Sequence, residues 1–168
     1  GPFPKCDRDM YLKGQFIAAL PEDVKELIGQ YGIRNSHLIS YAPTGTISMC
    51  SDNISGGIEP VFSHQFERVL NTPDGEKLEV VQDYNVWKYG MYGKKAAEVS
   101  PDAHVKVQGL PQKYCDSAVS KTVNVDKGCS WHDFKNIYMK AWEMGCKGCT
   151  TFNADGKRMA LLTDTDKS

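Results

Sequence analysis

The sequence predicts an α/β fold, and two observations lead there. Towards the C-terminal end, Ser120–Val125 alternates as a strand does, an amphipathic helix follows from Ser130 to Gly145, and Cys149–Phe152 has strand composition. That strand, helix, strand order is the signature of packed α and β layers. The chain also has 168 residues, 40% of them hydrophobic and 24% charged, which is the makeup of one globular domain able to bury a core.

The elements follow in order. Leu20-Pro21-Glu22-Asp23 opens a helix, since Pro is tolerated in a first turn and carboxylates suit the dipole there. Val24, Leu27, Ile28 and Tyr31 fall at i, i+3, i+4 and i+7, and Gly32 supplies a C-terminal stop. Ser36–Ala42 reads as a strand halted by Pro43, with Thr44–Ser48 turning into a second element. Residues 52–60 are irregular, and 61–70 fit a helix or an extended piece equally. Asn71–Gly75 is turn chemistry, and a short helix is expected around Tyr84–Tyr89 within the segment from Leu78 to Gly93. Ser100 caps a helix running towards Ala118 that Leu110-Pro111 should kink or break. In the helix after Ser130, Asp133 takes the capping-box position, and Phe134, Ile137, Tyr138, Ala141 and Trp142 form the apolar face. Trp131 is expected to join that packing.

Charge and hydropathy exclude several functions. A formal charge of −1 and a pI near 6.5 provide no basic field for extended nucleic acid. No apolar run approaches the roughly 20 residues that span a bilayer, and Gly1–Lys5 is no signal peptide, so no membrane partner and a cytoplasmic location are expected. The six cysteines show no repeated spacing and read as reduced thiols. The Gly/Pro-rich start resembles an internal segment of something longer. One domain is expected over 1–162, with a polar tail over 163–168.

The loop Pro43-Thr44-Gly45-Thr46-Ile47-Ser48 carries the most chemistry. Gly45 lets a ligand approach the backbone, and hydroxyls with neighbouring N–H groups can donate to an oxyanion. A helix beginning just after the loop would add its dipole. Alone, the loop is equally a plain strand-to-turn connection, since no Lys follows the Gly as in a Walker motif.

Its neighbours raise the specificity. Gly1-Pro2-Phe3-Pro4, Leu20–Asp23, Gly32-Ile33-Arg34-Asn35-Ser36, Ala42–Ser48, Gly57-Ile58-Glu59-Pro60, Val119–Asn124 and Ala141-Trp142 to Gly145-Cys146-Lys147-Gly148 occur in one order. Over nearly the whole chain this set resembles the adenosylcobalamin-dependent (class II) ribonucleotide reductases. The resemblance implies the C-terminal portion of a ten-stranded α/β barrel, with Pro43, Thr44, Gly45, Thr46 and Ile47 contacting the phosphates of a ribonucleotide substrate. It also implies thiyl-radical reduction to deoxyribonucleotides, with adenosylcobalamin bound mainly outside this chain. The implied partners are an N-terminal half of the reductase and an external dithiol reductant such as thioredoxin. The radical cysteine, the reducing pair and their assisting Asn and Glu belong to motifs upstream of Gly1, and no such motif occurs here. Paired tyrosines of the diiron-dependent class are absent near Thr150-Thr151-Phe152. A non-catalytic nucleotide- or partner-binding relic of the family is the alternative.

Other candidates read as structural. Cys146-Lys147-Gly148-Cys149 is a C-x-x-C, but it follows a helix, where the dipole raises thiol pKa values. Cys129 with His132 would complete a zinc set only by crossing a helix roughly 20 Å long. Cys6, Cys50 and Cys115 are expected to be buried small hydrophobes. His37, His64, His104 and His132 lack a carboxylate at dyad spacing, and Lys121 and Asn124 are expected to be structural. Glu59 is expected to be a buried carboxylate bonding backbone N–H groups of the neighbouring loop.

Overall fold

The computed structural model describes residues 1–153 and 163–164. The N-terminal stretch is not wholly extended: it forms two short helices, α1 (Arg8–Leu12) and α2 (Gln15–Ala18). Asp7 caps the first by accepting from the Met10 N–H. Arg8 reaches the end of α3 (Glu22–Tyr31) and donates to the Gly29 and Gln30 carbonyls at 3.3 and 2.9 Å, satisfying groups that a helix end leaves open. Gly32 stops α3 at φ +74°, as its position in the sequence predicts. Of the predicted apolar face only Ile28 is buried, while Leu27 and Tyr31 remain exposed.

Ser36–Ala42 is not a regular strand. Its Leu38 and Ile39 N–H groups donate to the Asp116 carboxylate at 2.6 and 2.7 Å, so a side chain occupies the place of a ladder partner. Only Tyr41 makes a bridge, parallel to Val119. After the loop, α4 (Ile47–Cys50) is a single turn.

The segment left open between helix and strand is β1 (Gln65–Thr72), paired antiparallel with β2 (Gly75–Gln82). Asn71–Gly75 does make the turn, although Thr72 and Gly75 already face each other as partners, with Gly75 at φ +116°. Phe66 and Val81 pair at the buried root, whereas Val69, Leu78 and Val80 project into solvent. The short β5 (Thr163–Asp164) adds to β1, so part of the predicted polar tail is strand. Residues 165–168 and the boundary at 162 lie outside the described residues.

Asp83 caps α5 (Tyr84–Tyr89), which matches its predicted bounds. Ser100 caps α6 (Pro101–Gln112), which passes through Pro111 and ends one residue later, well short of Ala118. Beyond it, β3 (Thr122–Asn124) and β4 (Thr150–Phe152) are parallel and joined by α7 (Trp131–Glu143). This is a β-α-β unit, the connection parallel strands require. Its core is Val105, Val123, Ile137 and Ala141, flanked by Val125, Met144, Cys146 and Cys149. Trp131 and Trp142 do not join it and stand 76% and 73% exposed. At about 100° per residue, Trp142 is rotated about a quarter-turn away from the buried Ala141.

The α/β class is therefore present, with two small sheets, β2-β1-β5 and β3-β4, and no closed barrel among the described residues. Exposed Leu78, Val80, Trp131 and Trp142 are the kind of apolar surface that marks an interaction face. The isolated chain is accordingly expected to self-associate and bind a hydrophobic dye. Sedimentation and a thermal melt check this, and a sharp, reversible two-state melt of a monomer would contradict it.

Candidate functional site

The loop Pro43–Ile47 is held open from both ends. Upstream, Tyr41 N–H donates to the Ala118 carbonyl at 3.2 Å, and the Ser120 N–H donates to the Tyr41 carbonyl at 2.9 Å. Downstream, the Ser48 N–H donates to the Thr44 carbonyl at 3.0 Å, and Ser48 Oγ donates to the Gly45 carbonyl at 2.8 Å. Thr44 sits at φ +53°, in the left-handed region that a β-branched residue adopts only when its surroundings impose it. Its Oγ1 accepts from the Gly57 N–H at 2.6 Å, which leaves the hydroxyl hydrogen able to donate outward. Nothing lies within 4 Å of where a Cβ on Gly45 would stand, and Thr46 makes no side-chain bond to α4. Two hydroxyl donors and a bare backbone thus share one exposed turn. Since α4 is four residues long, an anion at this turn would meet these local donors rather than a helix dipole.

The wall behind the loop is the turn Ser55–Glu59. A Cβ on Gly56 would stand 2.7 Å from the Pro43 carbonyl oxygen, and one on Gly57 2.8 Å from that of Ala42, so backbone packs directly on backbone. The turn closes on itself through Glu59 N–H to the Gly56 carbonyl, 3.0 Å, and Ser55 Oγ to the Glu59 carbonyl, 2.6 Å. Glu59 accepts the Thr122 N–H and pairs with Lys121 Nζ. It is therefore a partly buried carboxylate bonding backbone, as expected, but the backbone is that of β3 rather than the loop. The Lys121 ammonium is 2% exposed as a residue and also reaches His104 Nδ1 and the Thr122 carbonyl, each at 2.7 Å.

His104 is 1% exposed, and its Nε2 meets the Ala96 carbonyl at 3.0 Å, which places the proton on Nε2 and the lone pair on Nδ1 towards Lys121. Burial pushes its pKa below the ordinary 6.5; the Ala96 bond opposes this and the nearby Lys121 charge adds to it. The unfolded chain then binds more protons than the folded one, so stability is complete above about 6.5 and declines as pH falls below it. Urea unfolding of the assembled protein at pH 7.5 and 5.5 measures this. His104→Gln, which cannot charge, is expected to flatten the dependence.

The remaining histidines are hydrogen-bonded: His37 to Ser36 Oγ, His64 to the Gly93 carbonyl and His132 to Asn136. Cys115 is buried as expected, whereas Cys50 is exposed, because it ends the isolated turn α4. Cys146 and Cys149 lie against the α6–α7 core, and burial pushes both thiols above their usual range. That opposes a reactive dithiol. Iodoacetamide at pH 7.5 is expected to modify Cys50 before either, as read by peptide mass mapping; first reaction at Cys146 would reinstate the C-x-x-C role.

Several organising residues escaped the sequence argument. Asp116, Gln108 and Gln112 are buried polar groups that bond backbone. The available signal was the i, i+4 spacing of His104, Gln108 and Gln112 along one helix. A cavity of about 590 Å³, lined in part by Tyr11, His37, Asp116 and Lys147, lies between the N-terminal helices and the ends of α6 and α7. Tyr11 donates there to the Ser36 carbonyl at 3.1 Å.

Comparison with known proteins converges on one family. The family model described as ribonucleotide reductase, barrel domain, matches residues 1–152. A vitamin B12-dependent ribonucleoside-diphosphate reductase of Thermoplasma acidophilum is 30% identical, covering 78% of this chain and 20% of its own length. One from Mycobacterium tuberculosis is 29% identical, over 77% of this chain and 22% of that protein. The ribonucleoside-diphosphate reductase subunit alpha of Mycoplasma pneumoniae is 28% identical, over 97% and 23%. The chain thus spans about a fifth of the length of these relatives. In fold it resembles the crystal structure of a B12-dependent (class II) ribonucleotide reductase, with a TM-score of 0.54 at 14% identity, covering 76% of this chain and 21% of that one. The chain belongs to the ribonucleotide reductase barrel-domain family.

Proposed function

We propose that this chain is the C-terminal share of an adenosylcobalamin-dependent ribonucleotide reductase, in which Pro43, Thr44, Gly45, Thr46 and Ile47 hold the phosphates of the ribonucleotide. The observation that carries the proposal is the exposed turn with the Thr44 and Thr46 hydroxyls beside an unobstructed Gly45. A doubly charged phosphate needs donors that are already oriented, and the left-handed Thr44 with its Gly57 bond provides one. The β3-α7-β4 unit is compatible with a stretch of ten-stranded barrel wall, whose remaining strands would come from the N-terminal half of the reductase.

The reaction is reduction of the ribonucleotide to the deoxyribonucleotide through a thiyl radical. The radical cysteine and the reducing pair are assigned to the N-terminal half. An external dithiol such as thioredoxin restores that pair, and the cytoplasm is the compartment that keeps such thiols reduced. Adenosylcobalamin supplies the radical chemistry when bound. Its corrin and nucleotide loop exceed the drug-sized ligands that fill pockets of about 300–1,000 Å³. The cavity of about 590 Å³ is small for it, and the cofactor would be held mainly by the N-terminal half.

The test combines this chain with an N-terminal half, ribonucleotide, adenosylcobalamin and a dithiol, and measures deoxyribonucleotide. A hydrogen bond to a charged oxygen contributes about 1.5–3 kcal/mol. Thr44→Ala/Thr46→Ala is therefore expected to raise KM by about tenfold or more. A well-folded complex giving no product would favour the non-catalytic relic.

A further inference from the structure

We infer that the buried Glu59–Lys121 ion pair is a positioning device for the phosphate loop: it fixes the Gly56-Gly57 turn against Pro43 and Thr44, and so sets the affinity for phosphorylated ligands. The inference rests on the phosphate-loop proposal above and adds to it residues that do not touch substrate.

The linkage can be followed atom by atom. Lys121 Nζ is surrounded by three acceptors, namely Glu59 Oε2, His104 Nδ1 and the Thr122 carbonyl, and its side chain is 1% exposed. An ammonium has three hydrogens, so its position is fully determined. Glu59 Oε1 takes the Thr122 N–H, which ties the carboxylate to the backbone at the start of β3. Through its main chain the same residue closes the turn on Gly56 and Ser55. Gly57 N–H then holds Thr44 Oγ1 at 2.6 Å, and neither glycine leaves room for a Cβ between turn and loop. A shift of Glu59 moves Gly57, and a shift of Gly57 releases a threonine held at positive φ.

Charge explains why an ion pair is used at this place. With no Arg or Lys among 41–50, the loop can offer phosphate only neutral donors, whose strength depends on geometry. Lys121 is spent on Glu59 and is not available to the ligand. Fixing the donors is then what this cation contributes to binding, with His104 holding its third hydrogen from α6.

Calorimetry on the complex of this chain with its N-terminal half, titrated with a ribonucleoside diphosphate and separately with the unphosphorylated ribonucleoside, tests the inference. Lys121→Met and Glu59→Gln are expected to weaken the diphosphate about tenfold while leaving the ribonucleoside unchanged. Combining either with Thr44→Ala should add little, because both act on the same donor. Should either variant fail to fold, Gly56→Ala presses on the Pro43 carbonyl and on Thr44 without touching the ion pair, and should give the same phosphate-specific loss. Equal weakening of both ligands, full additivity with Thr44→Ala, or a folded Gly56→Ala with intact diphosphate affinity would each overturn the inference. If Thr44→Ala itself leaves diphosphate binding intact, the phosphate-loop proposal falls first. If Thr44→Ala weakens binding and the ion-pair variants do not, only the inference falls.

Discussion

Everything in the C-terminal half hangs on one helix face that carries amides and an imidazole where aliphatic side chains would be usual. His104, Gln108 and Gln112 recur at i+4 along α6 and are all buried. Each bonds backbone carbonyls outside the strands. Gln108 Nε2 donates to the Val119 and Gly148 carbonyls at 3.0 and 2.7 Å, joining the approach to β3 with the approach to β4. Gln112 Nε2 donates to the Cys115 and Ser117 carbonyls, and its Oε1 accepts from the Lys147 N–H. A buried carbonyl left without a donor costs about 1–3 kcal/mol, so these side chains substitute for a sheet the described chain does not complete. Gln108 Oε1 is the one atom of the set left buried without a partner.

At the N-terminal end of the same face, the polar contact becomes ionic. An ion pair removed from water is seldom a net gain in stability, because desolvation offsets attraction unless every remaining hydrogen is satisfied. Lys121 meets that condition, and Glu59 stays partly solvated at 26% side-chain exposure, which lessens the penalty. The arrangement yields definition of position more than stability. The side chains of Glu59 and His104 and the Thr122 carbonyl meet at one nitrogen.

Helices with local signals were legible in the sequence. Gly32, Ser100 and Ser130 end or begin helices where their chemistry says they should, and the strand-helix-strand order at the C-terminal end holds. What could not be read depended on partners distant in sequence. The β1–β2 hairpin was half seen because Val61–Leu70 has no clean period, and its pairing emerges only once β2 is laid beside it. Ser36–Ala42 has strand composition, yet Asp116, 77 residues beyond Ile39, takes the hydrogen bonds a strand partner would have made. The loop Pro43–Ile47 stood out as a motif. The positive φ of Thr44 and the reason for Gly56-Gly57 were not legible, since they depend on how two separate turns pack and on the Gly57 N–H reaching Thr44 Oγ1.

The hairpin also bears on how such a chain can change. It departs after Glu59 and returns before His104, the two residues that meet around Lys121, and its buried content is concentrated at the root, in Phe66 and Val81. The tip at Pro73-Asp74 is exposed. Length and sequence there are free to drift, lengthen or acquire an appended segment, as exposed loop tips commonly do. The hairpin tip is thus modular: it can be rewritten as decoration while Ala96, which holds His104, and the geometry beneath it are inherited unchanged.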